Sequence, residues 1–401
     1  MYKVLMINVD ELWLKGKNRP QYFRAIKNHI ETVVAAFHPY KFKVKNESQR
    51  MIVRSDEPFK EKVFQALQRV PGIHSFSPTR DIELDYELLY PSIKEELTSW
   101  GDKLPRTFKV NTKRTLKTFE KNSMEVSREM GHLILKDFDN IKVDVKTPEL
   151  FVELRILPDK FFISTHKYMG VGGLPVGTNG HLVTLLSGGF DSPVASYMMS
   201  KRGCRQTFAF FYAYPFVGEE VKDKIIKLME VLATYQKETS LYIVPFGNIQ
   251  KKIAKSCKED YRTMLFRKYM VDCANILAGR IGAKALLTGD ALGQVSSQTI
   301  GNIALVDSIT SRPVLRPLIG FNKMETIIKS KEIGTHDISI IPHDDACSLF
   351  APKHPVIHPD NKYWLEYCTN NEYAKDLQDA IEKAEKIMFS VRGELIPSKN
   401  S

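Results

Sequence analysis

Residues 187–192 read Ser187-Gly188-Gly189-Phe190-Asp191-Ser192, set between the apolar run 181–186 and a segment of helical pattern that opens with Pro193. A strand that runs into two glycines and then a helix specifies a strand–loop–helix unit. Its backbone N–H groups and helix N-terminus can converge on an anion. Pro193 suits a first helical position, with Ser192 as N-cap. The loop lacks the Gly-Lys-Ser/Thr ending of a P-loop and the Gly-x-Ser-x-Gly elbow of hydrolases, which argues against a serine nucleophile.

Counting the one before this loop, strands are expected at residues 182–186, 207–211, 241–244 and 285–287, separated by amphipathic segments of helical length. That alternation predicts a doubly wound, mostly parallel α/β domain. Ligands of such sheets sit beyond the carboxyl ends of the strands, where Ser187, residues 210–212 and Gly289 fall. The SGGxDS loop resembles the PP-loop of ATP pyrophosphatases, which cleave ATP between the α and β phosphates. In that reading Ser187, Gly188, Gly189 and Ser192 hold the departing pyrophosphate, and Asp191 positions Mg²⁺ or orients the reacting groups.

The N-terminal half is of a different class. Residues 3–9 read as a strand, 20–37 as a helix, 42–54 as a hairpin, 58–70 as a helix, and a strand follows Gly72, which is a ferredoxin-like α+β pattern. Lys15, Lys17 and Arg19 cluster at the start of the first helix, where cations oppose the helix dipole unless an anion sits there. Residues 107–115 alternate as a strand, and a helix is capped near Asn122, with Glu125 completing a capping box. Lys109, Lys113, Arg114 and Lys117, with Lys121 beyond, concentrate positive charge along that strand and its turn. A solvated basic face and a phosphate-binding surface both fit such a run. The net charge of +11 across 401 residues favours a polyanionic partner.

No apolar stretch reaches the ~18 residues of a membrane span. The first residues carry Asp10, Glu11 and Lys15 where a signal peptide needs an apolar core, so a cytoplasmic protein is expected. The five cysteines are scattered without a Cys-x-x-Cys pair, which supports neither a disulfide framework nor a four-cysteine zinc site.

Taken in order, Lys15-Gly-Lys-Asn-Arg19, the strand Phe108-Lys-Val-Asn-Thr-Lys-Arg114, the glycine-rich stretch 170–177, SGGFDSPVA, Thr288-Gly-Asp-Ala-Leu-Gly-Gln-Val-Ser-Ser-Gln-Thr299 and Pro313-Val-Leu-Arg-Pro-Leu-Ile-Gly320 resemble the tRNA uridine 4-sulfurtransferase (4-thiouridine synthetase) family. The resemblance implies a ferredoxin-like domain over 1–78, a THUMP RNA-binding domain over 79–168, a linker over 169–180 and a PP-loop domain over 181–401. It implies ATP with Mg²⁺ as cofactor and tRNA as substrate. Leu185, Leu186, Phe210, Phe211, Arg267, Gly289 and Gln298 are then expected around the nucleotide, the Phe rings packing on adenine and Arg267 offsetting phosphate charge. Ordinary sheet core remains the alternative for both Phe rings, and a surface position for Arg267.

Cys347 lies in Ile341-Pro-His-Asp-Asp-Ala-Cys-Ser-Leu-Phe350, and the family's sulfur-carrying cysteine, charged as a persulfide, matches it. Many relatives continue into a rhodanese domain. Here a helical, charged tail over 371–392 is expected instead, so sulfur must arrive from an external cysteine desulfurase. Cys204 is the first choice of resolving thiol, against a buried structural role, while Cys257 and Cys273 read as packing. An iron–sulfur cluster is a minor alternative. Further implied roles are sulfur supply to a carrier protein of thiamine thiazole synthesis and assembly as a homodimer. Competing readings are a PP-loop synthetase with a non-sulfur nucleophile and a noncatalytic THUMP RNA-binding protein.

Overall fold

The computed structural model describes residues 2–47, 50–342, 350, 352–369 and 373–397. Two compact units result: one of Met1–Arg19, Val33–Gln68 and Ile73–Gly172, the other of Pro20–Thr32, Arg69–Gly72 and Gly173 onward.

The chain opens with β1 (Val4–Val9), α1 (Arg19–Phe37), β2 (Phe42–Glu47), β3 (Arg50–Ser55), α2 (Glu61–Gln68) and β4 (Ile73–Glu83). These strands pair antiparallel in the order β2-β3-β1-β4, the arrangement expected of a ferredoxin-like module. There follow α3 (Leu89–Thr98), β5 (Thr107–Arg114), α4 (Ser123–Asp137), β6 (Lys142–Val143), β7 (Leu150–Ile156), β8 (Lys160–Ser164) and β9 (Tyr168–Met169). The sheet continues as β8-β7-β5-β6, because the far half of β4 pairs with β8 at Arg80↔Ile163. The two N-terminal modules therefore share one sheet, with residue 78 inside β4, the strand common to both. Burial alternates along β5 and β7, and the inward face packs Phe108, Val152 and Leu154 against Ile93 of α3 and Met130 of α4. Asn122 and Glu125 form the expected capping box.

The second unit carries β10 (His181–Leu185), α5 (Asp191–Lys201), β11 (Arg205–Tyr212), α6 (Glu219–Ala233), β12 (Thr239–Pro245), α7 (Gly247–Ser256), α8 (Arg262–Ile281), β13 (Ala285–Leu287), α9 (Ile300–Ser308) and β14 (Val314–Leu315). Then come α10 (Lys323–Ile333), α11 (His336–Ser339), α12 (Asn361–Thr369), α13 (Ala374–Glu382), β15 (Glu385–Phe389) and β16 (Leu395–Ile396). Strand order is β14-β13-β10-β11-β12-β15-β16, parallel from β14 to β12. β11 is buried along almost its whole length, as a strand covered on both faces must be. The connections leave β10 toward β11 and return on its other side at β13. The loop after β10 thus lies at the topological switch point of the sheet.

One expectation is corrected here. The C-terminal tail is not helical throughout: after α13, Glu385–Phe389 adds to β12 as an antiparallel strand, because Phe389 can bury there against the sheet. The stretch 169–180, read as a linker, packs closely. Leu174 and Val176 are buried, and Gly173 (φ +80°) has no room for a side chain, since a Cβ would lie 2.1 Å from the Lys201 carbonyl oxygen. No helix among the described residues is long and apolar enough to cross a membrane.

Candidate active site

The loop after β10 is closed by its own serines. The Ser187 N–H donates to Ser192 Oγ at 2.8 Å, and the two hydroxyl oxygens are 3.1 Å apart. Ser192 is therefore not the N-cap: α5 begins at Asp191, Phe190 precedes it, and the Ser192 hydroxyl is engaged in the loop. Gly189 does not use the left-handed region, and a Cβ there would meet only Ser187 Oγ at 3.8 Å. Its value is an open backbone surface beside the helix N-terminus, where an anion's oxygens can approach N–H groups.

Asp191, first residue of α5, is held from two sides. Its carboxylate accepts from Gln294 Nε2 at 2.9 Å and from Lys323 Nζ at 3.2 Å to each oxygen. Lys323 opens α10, whose start is fixed by a capping box between Asn322 and Glu325, and its ammonium also lies 5.2 Å from the Phe190 ring centroid. Across the switch point, Gly289 supplies the close approach that joins β13 to α5. A Cβ there would fall 2.5 Å from Ser192 N and 2.6 Å from the Asp191 carbonyl carbon. The demand for glycine at 289 is thus met by the protein's own backbone.

Next to Gly289, the buried Asp290 carboxylate gathers Arg267 Nη2 at 2.6 Å, Arg316 Nε at 3.0 Å, Thr288 Oγ1 at 2.8 Å and Gln298 Nε2 at 3.3 Å. Arg316 also bridges to Asp307 at 2.6 and 2.9 Å. Burial works to raise the Asp290 pKa, yet the Arg267 guanidinium and the other donors hold it below the usual carboxylate range. Arg267 accordingly faces a carboxylate inside the fold rather than the surface. Two atoms of this cluster remain without partners although buried, Arg267 Nε and Gln298 Oε1.

The family described as Thiamine biosynthesis protein (ThiI) matches residues 177–368, a ThiI ferredoxin-like domain matches 4–77, and a THUMP domain matches 85–166. A "Probable tRNA sulfurtransferase" of Halothermothrix orenii is 37% identical over 392 residues, covering 96% of this chain and 98% of that protein. Another, of Acetivibrio thermocellus, is 37% identical over 395 residues, covering 96% and 97%. The chain belongs to the tRNA sulfurtransferase family. Its fold superposes on the crystal structure of a 4-thiouridine synthetase–RNA complex with bound ATP with TM-score 0.86 and 34% identity, covering 99% of this chain and 100% of that one. A Pyrococcus horikoshii protein shares the fold at TM-score 0.61 and 22% identity, over 83% of this chain and 100% of that one.

Against this family's expected nucleotide site, the strand-end residues divide. Leu186 and Phe210 are buried with α6 on one face of the sheet; Phe211 lies in the α8 core on the other, with Leu185 packed against it. Consecutive strand residues point to opposite faces, so both Phe rings are core. Cys347 lies outside the described residues. Cys204 is buried beside Asn179 O, and desolvation pushes its thiol up to about 11. The Cys257 and Cys273 thiols are likewise raised by burial, and Cys273 is fully enclosed.

The predicted cations of the N-terminal half separate. Lys15 and Lys17 sit in the last turn of the 3-10 segment Glu11–Asn18, with Arg19 beginning α1. Lys113 and Lys117 are exposed. Lys109 donates to the Val145 carbonyl at 3.0 Å. Arg114 ties down the Phe119 and Lys121 carbonyls, each at 3.1 Å, and so holds a turn together. A groove in the first unit instead brings Lys113 together with Arg50, His74, Arg155 and Lys167, which no run in the sequence marked. Burial first, and then the nearby Arg50 guanidinium, hold Arg155 down to about 10, while Glu153, which also lines the groove, works the other way. Asp290, Gln294 and Arg316 were also missed as site residues, although all three lie in motifs that carried the resemblance. Lys323 had only the Asn-x-x-Glu capping signature beside it.

Proposed function

We propose that this chain uses ATP to transfer sulfur to a tRNA uridine, giving 4-thiouridine at the position eight implied by the family. The observation that carries the reading is Asp191 at the head of α5, gripped by Gln294 and Lys323 beside the serine-closed loop. The uridine carbonyl oxygen attacks the α phosphorus of ATP, the bond from that phosphorus to the bridging oxygen breaks, and pyrophosphate leaves into the loop. Ser187, Gly188, Gly189 and Ser192 receive it, with Lys323 balancing its charge. Strand-end backbone at Leu185, Leu186, Phe210 and Phe211 borders the nucleoside, with Arg267, Gly289 and Gln298 across the switch point. Mg²⁺ takes oxygen ligands through one or two carboxylates plus phosphates. Asp191, whose carboxylate here accepts from Lys323 and Gln294, is the carboxylate beside the loop that would hold such an ion.

The adenylated carbonyl carbon then has AMP as its leaving group, and sulfur from a Cys347 persulfide displaces it. If the terminal sulfur attacks directly, the base is joined to Cys347 through a disulfide; a second thiol attacks Cys347, frees 4-thiouridine and is left in a disulfide that a reductant must cleave. Sulfur enters from a cysteine desulfurase. Lys15, Lys17, Arg19, Lys113 and Lys117, with the Arg50–Arg155 groove, contact tRNA phosphates. The reading extends to a homodimer and to sulfur supply for thiamine thiazole synthesis.

The test is ATP-dependent incorporation of labelled sulfur into unmodified tRNA, with a desulfurase and cysteine as donor, followed by nucleoside analysis. 4-Thiouridine supports the reading. Pyrophosphate release stimulated by tRNA without thiolation would assign the same adenylating scaffold to another nucleophile.

A further inference from the structure

α6 holds a lysine where a globular protein rarely keeps one. Lys224 is 3% exposed and sits among Val221, Ile225 and Leu228, which pack against the sheet. Lysine is almost never fully buried unless its ammonium is engaged, because leaving water is costly to the charge and a methionine would fill the same space. Lys224 Nζ donates to two backbone carbonyls, Ser339 at 2.9 Å and Ile341 at 2.7 Å. Both lie where α11 ends.

The same short segment touches the PP-loop. Ser339 Oγ donates to the Gly189 carbonyl at 3.2 Å, and the His336 ring lies 5.7 Å from Phe190. The chain leaving α11 is thus held by the buried ammonium and also bonded to the phosphate-binding loop. In sequence, Cys347 follows Ile341 by only a few residues.

We propose that Lys224 is a positioning residue for the sulfur-transfer stage: by clamping the Ser339 and Ile341 carbonyls it fixes, relative to the PP-loop, the point from which the cysteine-bearing segment departs. This rests on the reading of Cys347 as sulfur carrier. A short tether from a fixed point raises the effective concentration of the sulfur at the adenylated base, and loosening that point penalises the second stage selectively. Adenylation draws on the PP-loop, α5, α10 and the loop after β13, whereas the Lys224 ammonium bonds the Ser339 and Ile341 carbonyls and reaches the PP-loop only at one remove, through the Ser339 Oγ–Gly189 carbonyl bond.

The experiment compares Lys224→Met, which keeps the alkyl stem, with wild type in two assays on the full chain: tRNA-stimulated pyrophosphate release and labelled-sulfur incorporation with a desulfurase. The expected result is pyrophosphate release within about threefold of wild type and thiolation reduced at least tenfold. Lys224→Arg, which restores a cation, should recover part of the thiolation, whereas a packing role predicts that Met is tolerated better than Arg. If Lys224→Met does not fold, judged by its thermal transition, Lys224→Gln supplies the same comparison. Parallel loss of both activities, or thiolation at the wild-type rate, overturns the proposal. Cys347→Ser is the control for the underlying reading. It should release pyrophosphate without thiolating; if it thiolates normally, the sulfur-carrier assignment itself fails, whatever Lys224 does.

Discussion

Gly289 meets a demand that no other residue can. A methyl group there would press on backbone atoms of Asp191 and Ser192 at 2.5–2.8 Å, and backbone at the head of a buried helix cannot step aside as a flexible side chain would. Overpacking of this kind typically costs ~1–3 kcal/mol, here applied where the loop meets α5. Gly289→Ala should lower the thermal transition and abolish most pyrophosphate release; near-normal release at saturating ATP would show that the loop tolerates the shift. Its neighbour Asp290 makes a prediction with a definite sign. Its folded-state pKa lies below the ordinary value, so its contribution is fully present above the usual carboxylate range and is lost as pH falls through the folded value. Asp290→Ala leaves two guanidiniums without their shared carboxylate and should cost about 3–5 kcal/mol near neutrality. Thermal unfolding of both proteins followed from about pH 7 toward about pH 3 should show that difference shrinking; a constant gap would remove the charge network as its cause. Cys204 is the opposite case: a buried thiol pushed up to about 11 has little thiolate for exchange. Cys204→Ala should keep thiolation turnover, and a selective loss of thiolation with adenylation intact would make it the resolving thiol after all.

Elements were easier to read than contacts. The strand–loop–helix at 181–201, the hairpin pairing Val44 with Val53, and the capping box at Asn122 follow from local periodicity and cap chemistry, which act within a few residues. What local pattern could not supply was the side of the sheet each residue serves. Phe210 and Phe211 stand at a strand end where ligands bind, yet pleating sends their rings into opposite cores. Ser192 has the residue type of an N-cap, but a partner across the loop claimed its hydroxyl. The tail beyond α13 reads as a helix by charge pattern and becomes a strand because β12 offers an unpaired edge. α10 shows how an element's start can serve a site far away in sequence. Its capping box fixes the turn from which Lys323 reaches Asp191. Asn322→Ala should therefore cost ~1 kcal/mol of stability and also weaken ATP use. A thermal shift of that size with unchanged steady-state pyrophosphate kinetics would separate the cap from the site.

At the scale of the whole molecule, positive charge is distributed by topology rather than by sequence runs. The cations of residues 109–117 are adjacent in the chain, yet Lys109 and Arg114 spend donors on backbone carbonyls. The groove that gathers Arg50, Lys113, Arg155 and Lys167 draws on β3, β5, β7 and the stretch after β8, which approach only because β4 joins two modules into one sheet. Such convergence is invisible to a charge count, which reports only that the chain is basic overall. It nevertheless has a measurable signature. Each cation that neutralises a phosphate releases condensed counterions, so removing one should reduce the slope of log affinity against log salt by about 0.7–0.9 and weaken binding about equally across tRNA sequences. Arg50→Ala and Arg155→Ala should each do this, raising the KM for tRNA in pyrophosphate release while leaving the KM for ATP unchanged. Arg114→Ala should leave the salt slope alone and lower thermal stability, because its guanidinium holds a turn rather than a ligand. Should Arg114→Ala flatten the slope while Arg155→Ala does not, the phosphate-binding surface would lie on the β5 turn instead, and the groove's crowded guanidiniums would have no ligand to account for them.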